Sequence, residues 1–160
     1  KLVYEEFKAK IREHFNDVEV IAGVATGAIA HGALVAEALN LPFIYVRSSA
    51  KQHGLENLIE GELQKGQRVV VIEDLISTGL SSLKAVDAIR NAGANVLGML
   101  AIFTYGFDIA KQNLAERDVD TYTLTNYEQL VDYALKSNRI TNQDLELLEQ
   151  WRIEPESWGR

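Results

Sequence analysis

The densest chemistry in the sequence lies between Val69 and Ser82. Four apolar residues run into Glu73 and Asp74, then into Leu75, Ile76, Ser77, Thr78, Gly79, Leu80, Ser81 and Ser82. The β-branched run from Val69 to Ile72 reads as a short buried strand. A helix follows from about Ser81 to Asn91 and stops at Gly93. Between the two lies a small polar turn. Amides at a helix start have no partner inside the helix, and the helix dipole adds positive potential there. Thr78 and Ser81 add hydroxyl donors, and Gly79 lets the backbone approach an oxyanion closely. The carboxylates suit another part of the same ligand. Glu73 and Asp74 can accept hydrogen bonds from vicinal ribose hydroxyls or hold a hydrated magnesium ion. An acidic pair alone would read as a solvated strand end; the whole run points to a sugar phosphate. It is not a Walker loop, because the lysine of GxxxxGK[ST] is absent.

Two other segments carry ligand-binding residue types. Residues 47–57 are polar, contain Gly54 and lack apolar periodicity, as a loop or lid does. Arg47, Lys51 and His53 lie in or beside it. By themselves they read as solvated surface. With a phosphate motif downstream they read as a cationic lid. Residues 23–28 form a small-residue turn between a strand end and a helix start, with Thr26 and Gly27 its best ligand candidates.

The run from Val69 to Ser82 closely resembles the signature of type I phosphoribosyltransferases. The Lys51-x-His53-Gly54 core resembles the mobile loop of the orotate phosphoribosyltransferase family. Asn57 to Gly61, Ala22 to Gly32, Leu41 to Phe43 and the tail from Trp151 to Trp158 extend the likeness over nearly the whole chain from about Val20. The resemblance implies a type I phosphoribosyltransferase fold. It implies transfer of phosphoribose from phosphoribosyl pyrophosphate (PRPP) to orotate, giving orotidine 5′-monophosphate and pyrophosphate, with magnesium. It places the 5′-phosphate on Leu75 to Ser82 and the ribose hydroxyls on Glu73 and Asp74. Thr26 and Gly27 then touch pyrophosphate, and Ser77 lies near the orotate ring. Arg47, Lys51 and His53 serve the pyrophosphate of a neighbouring subunit, with Lys51 and His53 in the catalytic role. A homodimer with lids acting in trans is thereby expected. The Lys51-x-His53-Gly54 core sets a purine-salvage transferase aside.

Some positions depart from that pattern. Leu80 and Glu56 stand where members usually carry glycine, Ser48 replaces a lysine, and no arginine matches near Tyr105 and Gly106. If Leu80 needed a positive φ, a branched residue there would add strain of about 1–2 kcal/mol. Members usually carry an N-terminal hood segment before the equivalent of Lys1, and nothing here matches it. Those departures leave a second expectation: an impaired, truncated or engineered PRPP-fold protein acting as a binding module or scaffold.

The remaining elements must position these residues. Tyr4, Phe7, Ile11 and Phe15 recur at helical spacing, giving a helix over 3–15 with His14 on its surface. Strands are expected at 18–22, 43–46, 58–63, 69–72, 96–103 and 121–124. Helices are expected at 28–39, holding a structural His31, at 81–91 and at 109–116. Asn126 with Gln129 and Thr141 with Asp144 read as N-caps of two further helices. Strands alternating with helices predict an α/β fold with a mainly parallel sheet covered on both faces. Ligands of such folds gather at the carboxyl ends of the strands. The 160 residues, 47% hydrophobic and 24% charged, fit one domain over 1–160. A net charge of −7 argues against nucleic acid and anionic membranes as partners. The absence of cysteine excludes disulfides, zinc-thiolate sites and cysteine nucleophiles, and fits a cytoplasmic location.

Overall fold

The computed structural model describes residues 2–47 and 58–155. Lys51 and His53, with Ser48, Glu56 and Trp158, lie outside the described residues. The chain divides into two compact units, Lys1–Leu124 and Thr125–Arg160.

The first unit begins with α1 (Leu2–His14), followed by β1 (Val20–Val24), α2 (Ile29–Leu39), β2 (Phe43–Val46) and β3 (Ile59–Glu60). Then come β4 (Arg68–Ile76), α3 (Leu80–Asn91), β5 (Asn95–Thr104), α4 (Asp108–Ala115) and β6 (Thr121–Asn126). The strands form one sheet in the order β3-β2-β1-β4-β5-β6. β1 runs parallel to β2 and β4, β4 runs parallel to β5, and β3 is antiparallel at the edge. This is the mainly parallel α/β sheet that alternating strands and helices predict.

The side-chain period of two assigns the faces. Val69 and Val71 of β4 pack with Leu83, Val86 and Ile89 of α3, and with Leu114 of α4. Val70 and Ile72 face the other way, onto Phe7 and Ile11 of α1 and Val35 of α2. Both faces are therefore covered, as near-continuous apolar strands require. His14 lies flat on Tyr122 of β6, ring centroids 3.8 Å apart and planes 6° apart, so it packs onto the sheet edge rather than standing free.

Three strands differ usefully from expectation. β1 continues past Ala22 through Gly23 to Val24, because both neighbours hold it in register, Gly23 opposite Tyr45 and Ile72. β4 continues past Ile72 to Ile76, because β5 pairs Glu73 with Ala101, Leu75 with Phe103 and Ile76 with Thr104. Leu75 and Ile76 are thus strand residues, and the turn proper is Ser77, Thr78 and Gly79. β3 is shorter than the expected 58–63 and is followed by Gly61 at φ 112°.

The second unit holds α5 (Tyr127–Lys136) and α6 (Asn142–Ile153). The Asn126 side chain accepts from the Gln129 amide, and Thr141 forms a capping box with Asp144. The amide and hydroxyl of Thr141 hold the Asp144 carboxyl below its usual pKa. Within this unit Trp151 packs on Tyr127, ring centroids 5.5 Å apart.

Candidate active site

The order of strands fixes where a ligand can enter. From β1 the chain crosses to β2 on one side, and β4 returns on the other. The crevice at the carboxyl ends of β1 and β4 is therefore a topological switch point, where open α/β sheets bind ligands. Two of the sequence segments meet there, the end of β4 at Asp74 and the β1–α2 turn at Gly27.

Successive residues of a strand point to opposite faces, so the two acids have different surroundings. Glu73 turns beneath α3 and is 3% exposed. Its Oε2 accepts from the Ser82 hydroxyl at 2.7 Å, and its Oε1 accepts from the Asp74 amide at 3.1 Å. Burial pushes its pKa from 4.5 up to about 7; the Ser82 hydrogen bond opposes that rise without cancelling it. Asp74 turns toward the β1–α2 turn and stays half-buried. Its Oδ1 accepts from the Leu75 amide at 2.8 Å. Its Oδ2 faces Gly27 so closely that a Cβ added there would overlap the carboxylate. Thr26 and Gly27 are exposed at the mouth of this crevice, and the peptide before Thr26 is cis.

The turn after β4 carries unclaimed donors. Among the described residues, no protein acceptor takes the amides of Ser77, Thr78 or Gly79. No side chain caps α3, so its first-turn amides are open as well. Gly79 has φ 79° and ψ −3°, a left-handed conformation that suits glycine. Leu80 is not among the residues with positive φ; it begins α3 and is 56% exposed. The strain foreseen at Leu80 is therefore absent, because the turn takes its positive φ one residue earlier. Ser81 is exposed and Thr78 half-buried.

Arg47 follows β2 at the same end of the sheet. Its amide donates to the Leu58 carbonyl at 2.8 Å, and its guanidinium lies 3.5 Å from Glu60. Among the described residues, no cluster of three or more His, Cys, Asp or Glu could hold a metal ion. None of the described helices is long and apolar enough to cross a membrane. Beside the turn, a cavity of about 440 Å³ opens between α4, the end of β5 and the start of β6, bordered by Ile76, Thr104, Phe107 and Leu114.

One motif residue takes a different role, and two contributors escaped the sequence reading. Ser82, expected in the loop that binds the 5′-phosphate, is 1% exposed and donates to Glu73 instead, as a buried strand-end acid requires. Thr104 accepts from the Gly106 amide at 3.0 Å and donates to the Ile76 carbonyl at 3.3 Å, which ties the end of β5 to β4. Asn113 donates to the Thr78 carbonyl at 2.9 Å. It lies 35 residues further along the chain, and no local pattern announces it.

A family model described as a phosphoribosyl transferase domain matches residues 2–138. The orotate phosphoribosyltransferase of Porphyromonas gingivalis is 59% identical over 158 residues, spanning 99% of this chain and 75% of the relative. The chain belongs to the orotate phosphoribosyltransferase family. Solved structures agree on the fold. Leishmania donovani UMP synthase superposes with a TM-score of 0.76 at 34% identity, over 94% of this chain and 33% of that one. An orotate phosphoribosyltransferase from Aeropyrum pernix gives a TM-score of 0.73 at 29% identity, over 82% of this chain and 73% of that one. In this phosphoribosyltransferase the signature acids are thus unequal: Glu73 is enclosed beneath α3, while Asp74 meets the crevice.

Proposed function

We propose that the chain transfers phosphoribose from PRPP to orotate, giving orotidine 5′-monophosphate and pyrophosphate in pyrimidine nucleotide synthesis. The observation that carries this reading is the set of unclaimed amides at Ser77, Thr78 and Gly79 beside Asp74, in a chain 59% identical to an orotate phosphoribosyltransferase. The amides and the hydroxyls of Thr78 and Ser81 bind the 5′-phosphate, aided by the dipole of α3. Asp74 accepts the ribose hydroxyls. Glu73, expected to share that role, is buried with both oxygens engaged and instead holds the Asp74 peptide from behind. Thr26 and Gly27 receive the pyrophosphate over β1.

In the reaction the bond from ribose C1 to a pyrophosphate oxygen breaks, and a bond from C1 to an orotate ring nitrogen forms as that nitrogen gives up its proton. No side-chain nucleophile is needed. The base enters opposite the leaving group. With pyrophosphate over β1 and ribose over β4, orotate lies on the β5 side, near Ser77 and the aromatic run Phe103, Tyr105 and Phe107. In that run Tyr105 and Phe107 stack with centroids 5.4 Å apart.

Positive charge on the leaving group stabilises the transition state most when water is excluded. Arg47, Lys51 and His53, closing in trans across a homodimer, supply it, Arg47 exchanging Glu60 for pyrophosphate. Magnesium would fit as an ion carried by the pyrophosphate oxygens, with the hard oxygens of Asp74, the acid that meets the crevice, available to its hydration shell. It would neutralise charge on the departing pyrophosphate. A cytoplasmic location belongs to the same reading.

Loss of orotate ultraviolet absorbance on adding PRPP and magnesium tests the function, with adenine and hypoxanthine as competing bases. Turnover of orotate alone supports it. Turnover of a purine, or of no base, contradicts it.

A further inference from the structure

We infer that Asn113 is a positioning residue that fixes the Thr78–Gly79 peptide and thereby aims the Gly79 amide at the terminal phosphate. The inference rests on the reading of Ser77–Ser81 as a phosphate cradle. Asn113 belongs to α4, outside the signature run. Its half-buried amide nitrogen donates to the Thr78 carbonyl at 2.9 Å. The next residue, Leu114, lies under Gly79, its Cγ 3.6 Å from where a Cβ would stand. One turn of α4 thus holds the phosphate turn from behind.

A trans peptide points its carbonyl and its N–H in opposite directions. The Thr78–Gly79 bond is trans, the cis bond among the described residues being Ala25–Thr26. With the carbonyl drawn to Asn113, the Gly79 N–H must point away from α4. No protein acceptor among the described residues takes it there.

The alternative orientation is accessible, because glycine populates both signs of φ with little penalty. Rotating this peptide by half a turn would replace the donor with a carbonyl oxygen, whose partial negative charge repels phosphate. Nothing in glycine itself selects between the two states. The Asn113 side chain biases the choice, because its nitrogen donates to the Thr78 carbonyl in the observed state and that bond is lost when the peptide rotates. An aspartate at 113 would accept only and would repel the Thr78 carbonyl, favouring the rotated peptide.

The test compares Asn113→Ala and Asn113→Asp with the wild type. Ribose 5-phosphate is titrated calorimetrically, and the Gly79 amide is followed in ¹⁵N–¹H spectra. Asn113→Ala is expected to bind roughly 2- to 12-fold more weakly, the range that one neutral hydrogen bond supports. Asn113→Asp is expected to bind more weakly still. The KM for PRPP rises in both, while the KM for orotate at saturating PRPP stays put. Asn113→His, which keeps a ring N–H donor, recovers part of the loss. If Asn113→Ala binds as the wild type does while its Gly79 amide still shifts with ligand, the positioning role is wrong and the phosphate reading survives. An equal rise of both KM values with a lowered Tm also overturns it, as that is the mark of a merely structural contact. A wild-type Gly79 amide that ignores ribose 5-phosphate removes the phosphate reading itself, and the inference with it.

Discussion

The Asp74 carboxylate and Gly27 close on each other across the switch point, and no side chain can stand at residue 27 without displacing the acid. The glycine is needed for space rather than for backbone conformation, since it has no positive φ. Gly27→Ala should therefore act through Asp74. Displacing a carboxylate that accepts the ribose hydroxyls is expected to weaken PRPP binding about tenfold or more. Calorimetry with PRPP checks this, and unchanged affinity would separate Gly27 from the ligand site.

Asp74→Asn makes the complementary change without altering volume. Asp74 is half-buried and its carboxylate takes one local amide, so folding stability should change little. PRPP affinity should fall by about tenfold, because a charged acceptor becomes neutral. Retained affinity would take the ribose hydroxyls away from Asp74.

Glu73 makes stability depend on pH. Its folded-state pKa is raised from 4.5 to about 7, so the folded state disfavours the ionised form. Below pH 4.5 both states are protonated and there is no penalty. Between 4.5 and 7 the folded state binds more protons than the unfolded one, and stability falls as pH rises. Above 7 the loss is complete, about 3 kcal/mol at most from this group. Denaturant unfolding of the wild type and Glu73→Gln across this window checks it. The variant should lack this component of the slope, and parallel curves for the two proteins would contradict the assignment.

Leu80→Gly introduces the residue that the sequence resemblance leads one to expect, at a position that is helical and exposed here. A glycine in the first turn of α3 is expected to lower stability by up to about 1 kcal/mol. PRPP affinity should not improve, because Leu80 is not strained. A gain in affinity would show that its side chain obstructs the phosphate.

Much of this site was legible in the sequence because its parts are local. The strand, the acids and the turn occur within the run from Val69 to Ser82, and their order predicts a strand-turn-helix phosphate site without any tertiary contact. The alternation of elements likewise predicts the parallel sheet. The missing parts depend on pairing across the chain. The end of β4 could not be placed at Ile76 from residues that include two acids, because β5 holds them in the sheet. The inequality of Glu73 and Asp74 follows from the pleat and from α3 packing over one face. Asn113 reaches the turn only through the packing of α4. Lys51 and His53 remain assignments by family likeness.

Mapping PRPP onto backbone amides tests the central claim most directly. In ¹⁵N–¹H spectra with magnesium and no orotate, the account predicts that the largest shifts fall on Ser77 to Ser82 and on Thr26 and Gly27, and that Asp74→Asn weakens the titration. Binding that leaves those amides unmoved while shifting others would contradict it.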